Sequence, residues 1–115
     1  GENGHLAFND PHVAFFDGPL IVKVVDLDPA CREQQVHDGC FSRIGEVPTH
    51  AMTLTIPVLL DAERLFAIVP TEAKARAIRA TCDGPIRSDC PASILRTHRD
   101  ATLYIDRGSA SLLVR

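Results

Sequence analysis

The chain has no Lys/Arg run and no basic stripe, and its 12 basic and 15 acidic side chains leave a formal net charge of -3. Clustered cations are what phosphate backbones bind, so nucleic acid is not expected as a partner. Apolar runs such as Leu20 to Val25 fall far short of the about 20 residues that cross a bilayer, so no membrane partner is expected either. No signal-peptide pattern opens the sequence. Cys31, Cys40, Cys82 and Cys90 form no Cys-x-x-Cys pair. An even number could serve a disulfide framework in a small secreted chain, but the four are sparse. Cys31 and Cys82 read better as small apolar residues on helices, which points to a reduced, cytoplasmic protein. No internal repeat, low-complexity tract or linker divides the 115 residues, of which 45% are hydrophobic, so a single core is expected.

Short apolar runs alternate with helix signals. "LIVKVVDL", Leu20 to Leu27, reads as a buried strand. In "DPACREQQVHDG", Asp28 suits a helix cap, Pro29 its first position and Gly39 its end. "AMTLTIP" is a second strand, with Pro57 opening a short helix, and "RLFAIVP" is a third. "TEAKARAIRATCDG" is the clearest helix, with Thr71 as cap and Gly84 and Pro85 just past the end. "PASILRTH" reads as a further short helix, "ATLYID" as a fourth strand, and "SASLL" as a closing turn. Alternation of this kind predicts an α/β fold, Rossmann-like, with a mainly parallel sheet and flanking helices. Strands buried on both faces would explain runs that do not alternate with polar residues.

"GENGHLAFNDP", residues 1 to 11, is the chemically dense stretch. Gly1 and Gly4 permit tight turns and close backbone approach. His5 titrates near neutrality and suits a general acid or base, with Glu2 and Asp10 as candidates to orient it. Leu6, Ala7 and Phe8 could plug the loop into a core. A backbone-bonded histidine followed by an Asn9-Asp10-Pro11 turn is the plainer alternative. No metal is expected, because His5 and His12 lack compact ligand spacing and no cysteine is near them in sequence. In open α/β sheets ligands bind beyond the carboxyl ends of strands, and this stretch looks like such a loop without its strand. The chain is therefore expected to be the C-terminal portion of a larger domain. Lys74 falls in the first turn of the helix capped by Thr71. A cation there opposes the helix dipole by a few tenths of a kcal/mol, roughly, and a bound phosphate would reverse that sign.

The opening stretch resembles the active-site signature of the glucosamine-6-phosphate deaminase (isomerase) family, usually G-x-D-G-H-I-A-F-N-E-P. "VPTHAMTLTIPVLLDAERLFAIVP", "KARAI" and "PASILRTH" resemble later family segments, so the similarity spans nearly the whole chain. The resemblance implies a Rossmann-like domain about twice this length, with no cofactor. The family's general base, an aspartate, and its phosphate loop lie in an N-terminal half outside these residues. It implies that His5 moves a proton at the sugar-ring oxygen, that Asp10 assists in place of the usual Glu, and that Asn3 stands where an Asp is usual. Asn3 cannot take a proton but can still orient the ring. Lys74 and Gly4 would contact the sugar phosphate. Gln35 occupies a position where the family commonly has a substrate arginine, with Arg32 a turn away, and nothing is carried over there. "PHVAFF" and "LIVK" replace features tied to allosteric control, with only Lys23 kept.

The resemblance thus implies conversion of glucosamine 6-phosphate to fructose 6-phosphate and ammonia. The alternatives are a 6-phosphogluconolactonase-like hydrolase, which "LAFNDP" disfavours, and a non-catalytic sugar-phosphate-binding protein, which Asn3 keeps open. The missing N-terminal half would be an obligatory partner, and homo-oligomerisation is left open.

Overall fold

The computed structural model describes residues 1–114. Strand β1 spans Val22–Asp26, helix α1 Pro29–His37, strand β2 His50–Leu54 and the short helix α2 Ile56–Leu60. Strand β3 spans Leu65–Val69, helix α3 Ala75–Asp83 and strand β4 Ala101–Ile105. Short 3-10 turns fill the connections, among them Ile44–Glu46, Glu72–Lys74 and Pro91–Thr97.

The expected single, mainly parallel Rossmann-like sheet is not what forms. Two separate two-stranded sheets form instead, β1 with β2 and β3 with β4. The first is antiparallel, with Val22 opposite Leu54 and Asp26 opposite His50. The second is parallel, with Leu65 opposite Ala101 and Val69 opposite Ile105. The connections explain the difference. A parallel pair needs a crossover that carries the chain back to the starting end of the sheet. Helix α3 and the 91–97 turn together do so between β3 and β4. Helix α1 does not. The chain leaves β1 at Asp26 and re-enters beside it, where the Leu27 N–H bonds the Thr49 carbonyl at 2.8 Å. Helix α1 therefore caps one end of its sheet, and the strands it joins run opposite ways.

Burial on both faces also fails. On β1 and β2, Val25 and Thr53 face inward and are buried, whereas Val24 and Met52 face outward at 67% and 70% exposure. On the other sheet, Phe66 and Ile68 are open, and Phe66 stacks on Tyr104 with ring centroids 6.4 Å apart. Apolar residues on both faces of a strand predict two covered faces; within this chain only one face of each sheet is covered. The core is correspondingly small: Ala14, Val25, Cys31, Val47, Ile56, Ala75, Ala77 and Ile78.

Helix signals carry further. Asp28 caps α1 by accepting the Cys31 N–H at 2.7 Å, Pro29 is the first helical residue, and the Arg32 guanidinium ties the 44–46 turn to α1 through the Ile44 and Val47 carbonyls. Helix α3 buries Ala75, Ala77, Ile78 and Thr81 along one stripe. All four cysteines are free thiols, and no described helix is long and apolar enough to cross a membrane.

The start of α3 differs from the expected cap. Thr71 lies in left-handed backbone at φ 81°, and its side chain caps nothing. The Asp106 carboxylate, at the end of β4, accepts the Thr71 N–H at 3.0 Å and the Ser109 N–H at 2.8 Å. Those bonds, Ser109 first and Thr71 second, hold the Asp106 carboxyl below its usual range. A carboxyl lowered on folding adds stability that is present above its unfolded pKa, about 3.9, and is lost as pH falls through the folded value. Asp106→Ala in the full-length protein is expected to lower the thermal midpoint at neutral pH. The gap to the parent should shrink below roughly pH 4, where the parent loses the same contribution. Scanning calorimetry across that range checks this; a gap independent of pH would remove the carboxylate from the account.

Candidate functional site

The opening stretch is folded into a compact polar knot. The Gly4 N–H bonds the Gly1 carbonyl at 3.0 Å, closing a turn in which Gly4 takes φ +79°. The Gly4 carbonyl accepts the Ala92 N–H at 2.8 Å, and a Cβ at Gly4 would stand 2.8 Å from the Cys90 sulfur. A glycine is required there by both conformation and contact. A Cβ at Gly1 would meet the His5 Nε2 at 1.9 Å, so the first glycine leaves room for the imidazole. The anchoring is polar, not the expected apolar plug. The Phe8 N–H bonds the Thr53 hydroxyl at 3.1 Å, and the Asn9 amide bonds the Leu6 and Leu54 carbonyls, both at 2.9 Å. Leu6 and Phe8 are only half-buried and Ala7 is exposed.

His5 places its Nδ1 2.6 Å from the Ala7 carbonyl. A carbonyl only accepts, so the neutral ring carries its proton on Nδ1 and presents Nε2 as the basic nitrogen. Burial pushes the His5 pKa down; the Ala7 carbonyl, Asp10 and Asp28 act the other way. Asp10 is fully buried. Its two oxygens accept from the Asn3 amide at 3.2 Å and the Asp28 N–H at 3.2 Å.

Asn3 departs from its expected role. Its amide donates to both Asp10 and Asp28, the latter at 3.1 Å, and its oxygen accepts the His5 backbone N–H at 3.1 Å. These bonds fix the His5 backbone and tie two carboxyl groups together; none orients the imidazole. Asp28 is the residue that sequence reading missed. Its Asp-Pro context marked a helix cap, and one oxygen does cap α1, but the other is spent on Asn3. The spare oxygen of a capping aspartate was the available signal.

The fold also brings Cys31 to this knot. One ligand atom each from His5, Asp10 and Cys31 lie within 4.8 Å of one another. Burial, then Asp10 and Asp28, push the buried Cys31 thiol up to about 11. Lys74 ends the 72–74 turn, immediately before α3. His5, Asp10, Asn3 and Gly4 thus form one cluster, joined by the bonds of Asn3 to Asp10 and to the His5 backbone. Glu2 stands apart from the ring: its N–H bonds the Gln34 side chain at 3.3 Å.

No family model matches the chain. Individual proteins do. A glucosamine-6-phosphate deaminase of Exiguobacterium sibiricum is 36% identical over 113 residues, which are 98% of this chain and 43% of that protein. One from Corynebacterium glutamicum is 40% identical, also over 98% of this chain and 43% of its own length. Among solved structures, a monomeric glucosamine-6-phosphate deaminase, titled a missing link of the NagB superfamily, superposes with a TM-score of 0.88 at 37% identity. The match covers 97% of this chain and 44% of that one. The chain matches the glucosamine-6-phosphate deaminase family in sequence and in structure. It spans less than half the length of the curated relatives it matches. A 6-phosphogluconolactonase from Leishmania guyanensis shares the fold at a TM-score of 0.70 and 23% identity.

The bonding of Asn3 sets an expectation that its sequence position alone did not. Asn3→Asp would put a third carboxyl against Asp10 and Asp28 and remove the donor they share. Losing a hydrogen bond to a charged group costs about 1.5–3 kcal/mol, so a comparable loss of unfolding free energy is expected at pH 8. The crowded new carboxyl has a raised pKa, so it is protonated more readily folded than unfolded, and the loss should shrink as pH falls toward 5. Urea titrations of the full-length protein at both values measure this; equal loss at both would show that repulsion is not the cause.

Proposed function

We propose that this chain is the C-terminal portion of an amino-sugar phosphate isomerase and deaminase. In our reading it acts in the cytoplasm, where four free thiols persist, and converts glucosamine 6-phosphate to fructose 6-phosphate and ammonia. The observation that carries this is the half-buried, neutral-leaning His5, with Nδ1–H engaged by the Ala7 carbonyl and Nε2 left basic, beside buried Asp10. A base of that kind opens the sugar ring. Nε2 takes the proton of the C1 hydroxyl and delivers it to the ring oxygen, as the C1–oxygen bond to the ring breaks and C1 becomes a carbonyl. The carbonyl acidifies the C2–H, so no cofactor is needed. A base outside these residues then moves the C2 proton to C1, leaving an imine at C2. Water adds to the imine carbon and ammonia departs.

Asp10 and Asn3 act as positioning groups for the loop that carries His5. Gly4 contributes close packing, because its own backbone groups are spent on Gly1 and Ala92. Lys74 serves the phosphate from the start of α3, where free N–H groups favour an anion. The open faces around Val24, Met52, Phe66 and Ile68 support the same reading. In a protein of the relatives' length they are the surfaces on which the remaining, N-terminal portion packs, bringing the general base and the other phosphate contacts.

Ammonia release from glucosamine 6-phosphate by the full-length protein tests the reaction, with 6-phosphogluconolactone as the competing substrate. His5→Gln is expected to lower kcat by about a hundred- to ten-thousandfold with KM nearly unchanged, the size of general acid–base assistance. Lys74→Ala should act on binding, raising KM about ten- to hundredfold as a charge-assisted bond is lost. Residues 1–115 alone should release no ammonia. Hydrolysis of the lactone without deamination, or full activity in His5→Gln, would overturn the assignment.

A further inference from the structure

The knot around His5 holds a second chemistry. Its three side chains are one nitrogen, one oxygen and one sulfur donor, brought within 4.8 Å of one another from the opening stretch and from helix α1. Asp10 is fully buried and Cys31 is 2% exposed, whereas the His5 ring is half-buried and gives a path from solvent. Asp28 stands directly behind Asp10 and adds negative charge without being needed as a ligand.

We propose that His5, Asp10 and Cys31 form a binding site for a thiophilic divalent ion of the zinc class. The donor set is of the mixed nitrogen, oxygen and sulfur kind that such ions take, with three protein ligands and the fourth position left to water. Metal–nitrogen and metal–oxygen bonds of about 2.0–2.2 Å and a metal–sulfur bond of about 2.3 Å require the three donors to draw in modestly from their present separation. The Cys31 sulfur bonds to the ion as its S–H bond breaks, and the proton leaves to solvent; nothing is oxidised. Thiolate, carboxylate and neutral imidazole together cancel the ion's two charges, which makes burial of the complex tolerable. A dication also reverses the conditions that keep this thiol protonated, since burial and the two carboxyl groups all disfavour a lone thiolate. Asp10 also belongs to a second grouping with His12 and Asp28. That group lacks sulfur, and Asp28 is already committed to Asn3 and the cap of α1, so the cysteine group is the one favoured.

The site uses the side chains that the proposed reaction needs, so the ion acts as an inhibitor, not a cofactor. Its binding does not depend on that reaction. The test is titration of the full-length protein with Cd2+ and with Zn2+, followed by ultraviolet absorption of the cadmium–thiolate bond and by calorimetry. One ion per chain is expected, with one sulfur bound. Cys31→Val keeps the residue's apolar character and should abolish the thiolate band, with affinity falling at least tenfold. Replacing Cys40, Cys82 and Cys90 together by Ala should leave the band in place. His5→Gln, at a half-exposed position, provides a second ligand variant should Cys31→Val fail to fold, and should also weaken binding at least tenfold. No binding at micromolar ion, a band that survives in Cys31→Val, or a band lost with the other three cysteines would each overturn the proposal. Absence of deaminase activity would not, because the absorption band is read without substrate.

Discussion

Asp10 has no solvent to turn to, and the local structure follows from how its oxygens are satisfied. One accepts from the Asn3 amide and the other from the Asp28 N–H. A buried carboxyl without partners is among the costlier things a fold can contain, so these bonds constrain everything they touch. Through Asn3 they fix the His5 backbone. Through Asp28 they fix the start of α1, and with it Cys31. Two segments far apart in sequence, the opening stretch and the start of α1, are thereby held in a single arrangement, and the imidazole is presented from it. A network of this kind is stabilising only when every member is paired, which is why an amide with two donors, and not a third acid, suits position 3.

The second constraint works at a distance from the knot. Lys74 owes its place to a carboxylate at the far end of β4. Asp106 holds the N–H of Thr71, whose left-handed backbone turns the chain sharply into the 72–74 segment and α3. A non-glycine residue adopts that conformation only when its surroundings impose it. The parallel pairing of β3 with β4 supplies the imposition, because it brings the carboxyl end of β4 next to the start of the helix that follows β3. Lys74 and the sheet are thus coupled through one side chain.

Local chemistry was legible in the sequence where the cause was local. Asp28-Pro29 announced the cap and first turn of α1, and the alanine-rich stripe announced α3, because caps and helix propensity act within a few residues. The glycines at 1 and 4 marked tight backbone correctly. What was not legible was decided elsewhere in the fold. Strand direction depended on where α1 returned the chain, which apolar periodicity does not encode. The apolar outer faces at Val24, Met52, Phe66 and Ile68 read as buried, since hydrophobicity reports what a residue can cover and not what is present to cover it. Thr71 looked like a cap by type, but its cap came from Asp106, 35 positions on. Asn3 invited comparison with a ring-orienting acid, yet its partners were Asp28 and Asp10. Cys31 looked like packing, and only the fold set it beside His5.

Ala7 illustrates how a solvent-facing residue can be among the least replaceable. Exposure alone would mark it as a position free to vary. Its backbone, however, sits at φ 52°, and its carbonyl is the acceptor that selects the His5 tautomer. Tolerance at residue 7 is therefore governed by main-chain conformation and not by side-chain chemistry. Glycine, asparagine and aspartate enter the left-handed region at low cost, whereas valine, isoleucine and threonine resist it. Drift at this position should be broad in polarity and narrow in shape. A β-branched residue there would rotate the carbonyl away and free the imidazole to carry its proton on either nitrogen.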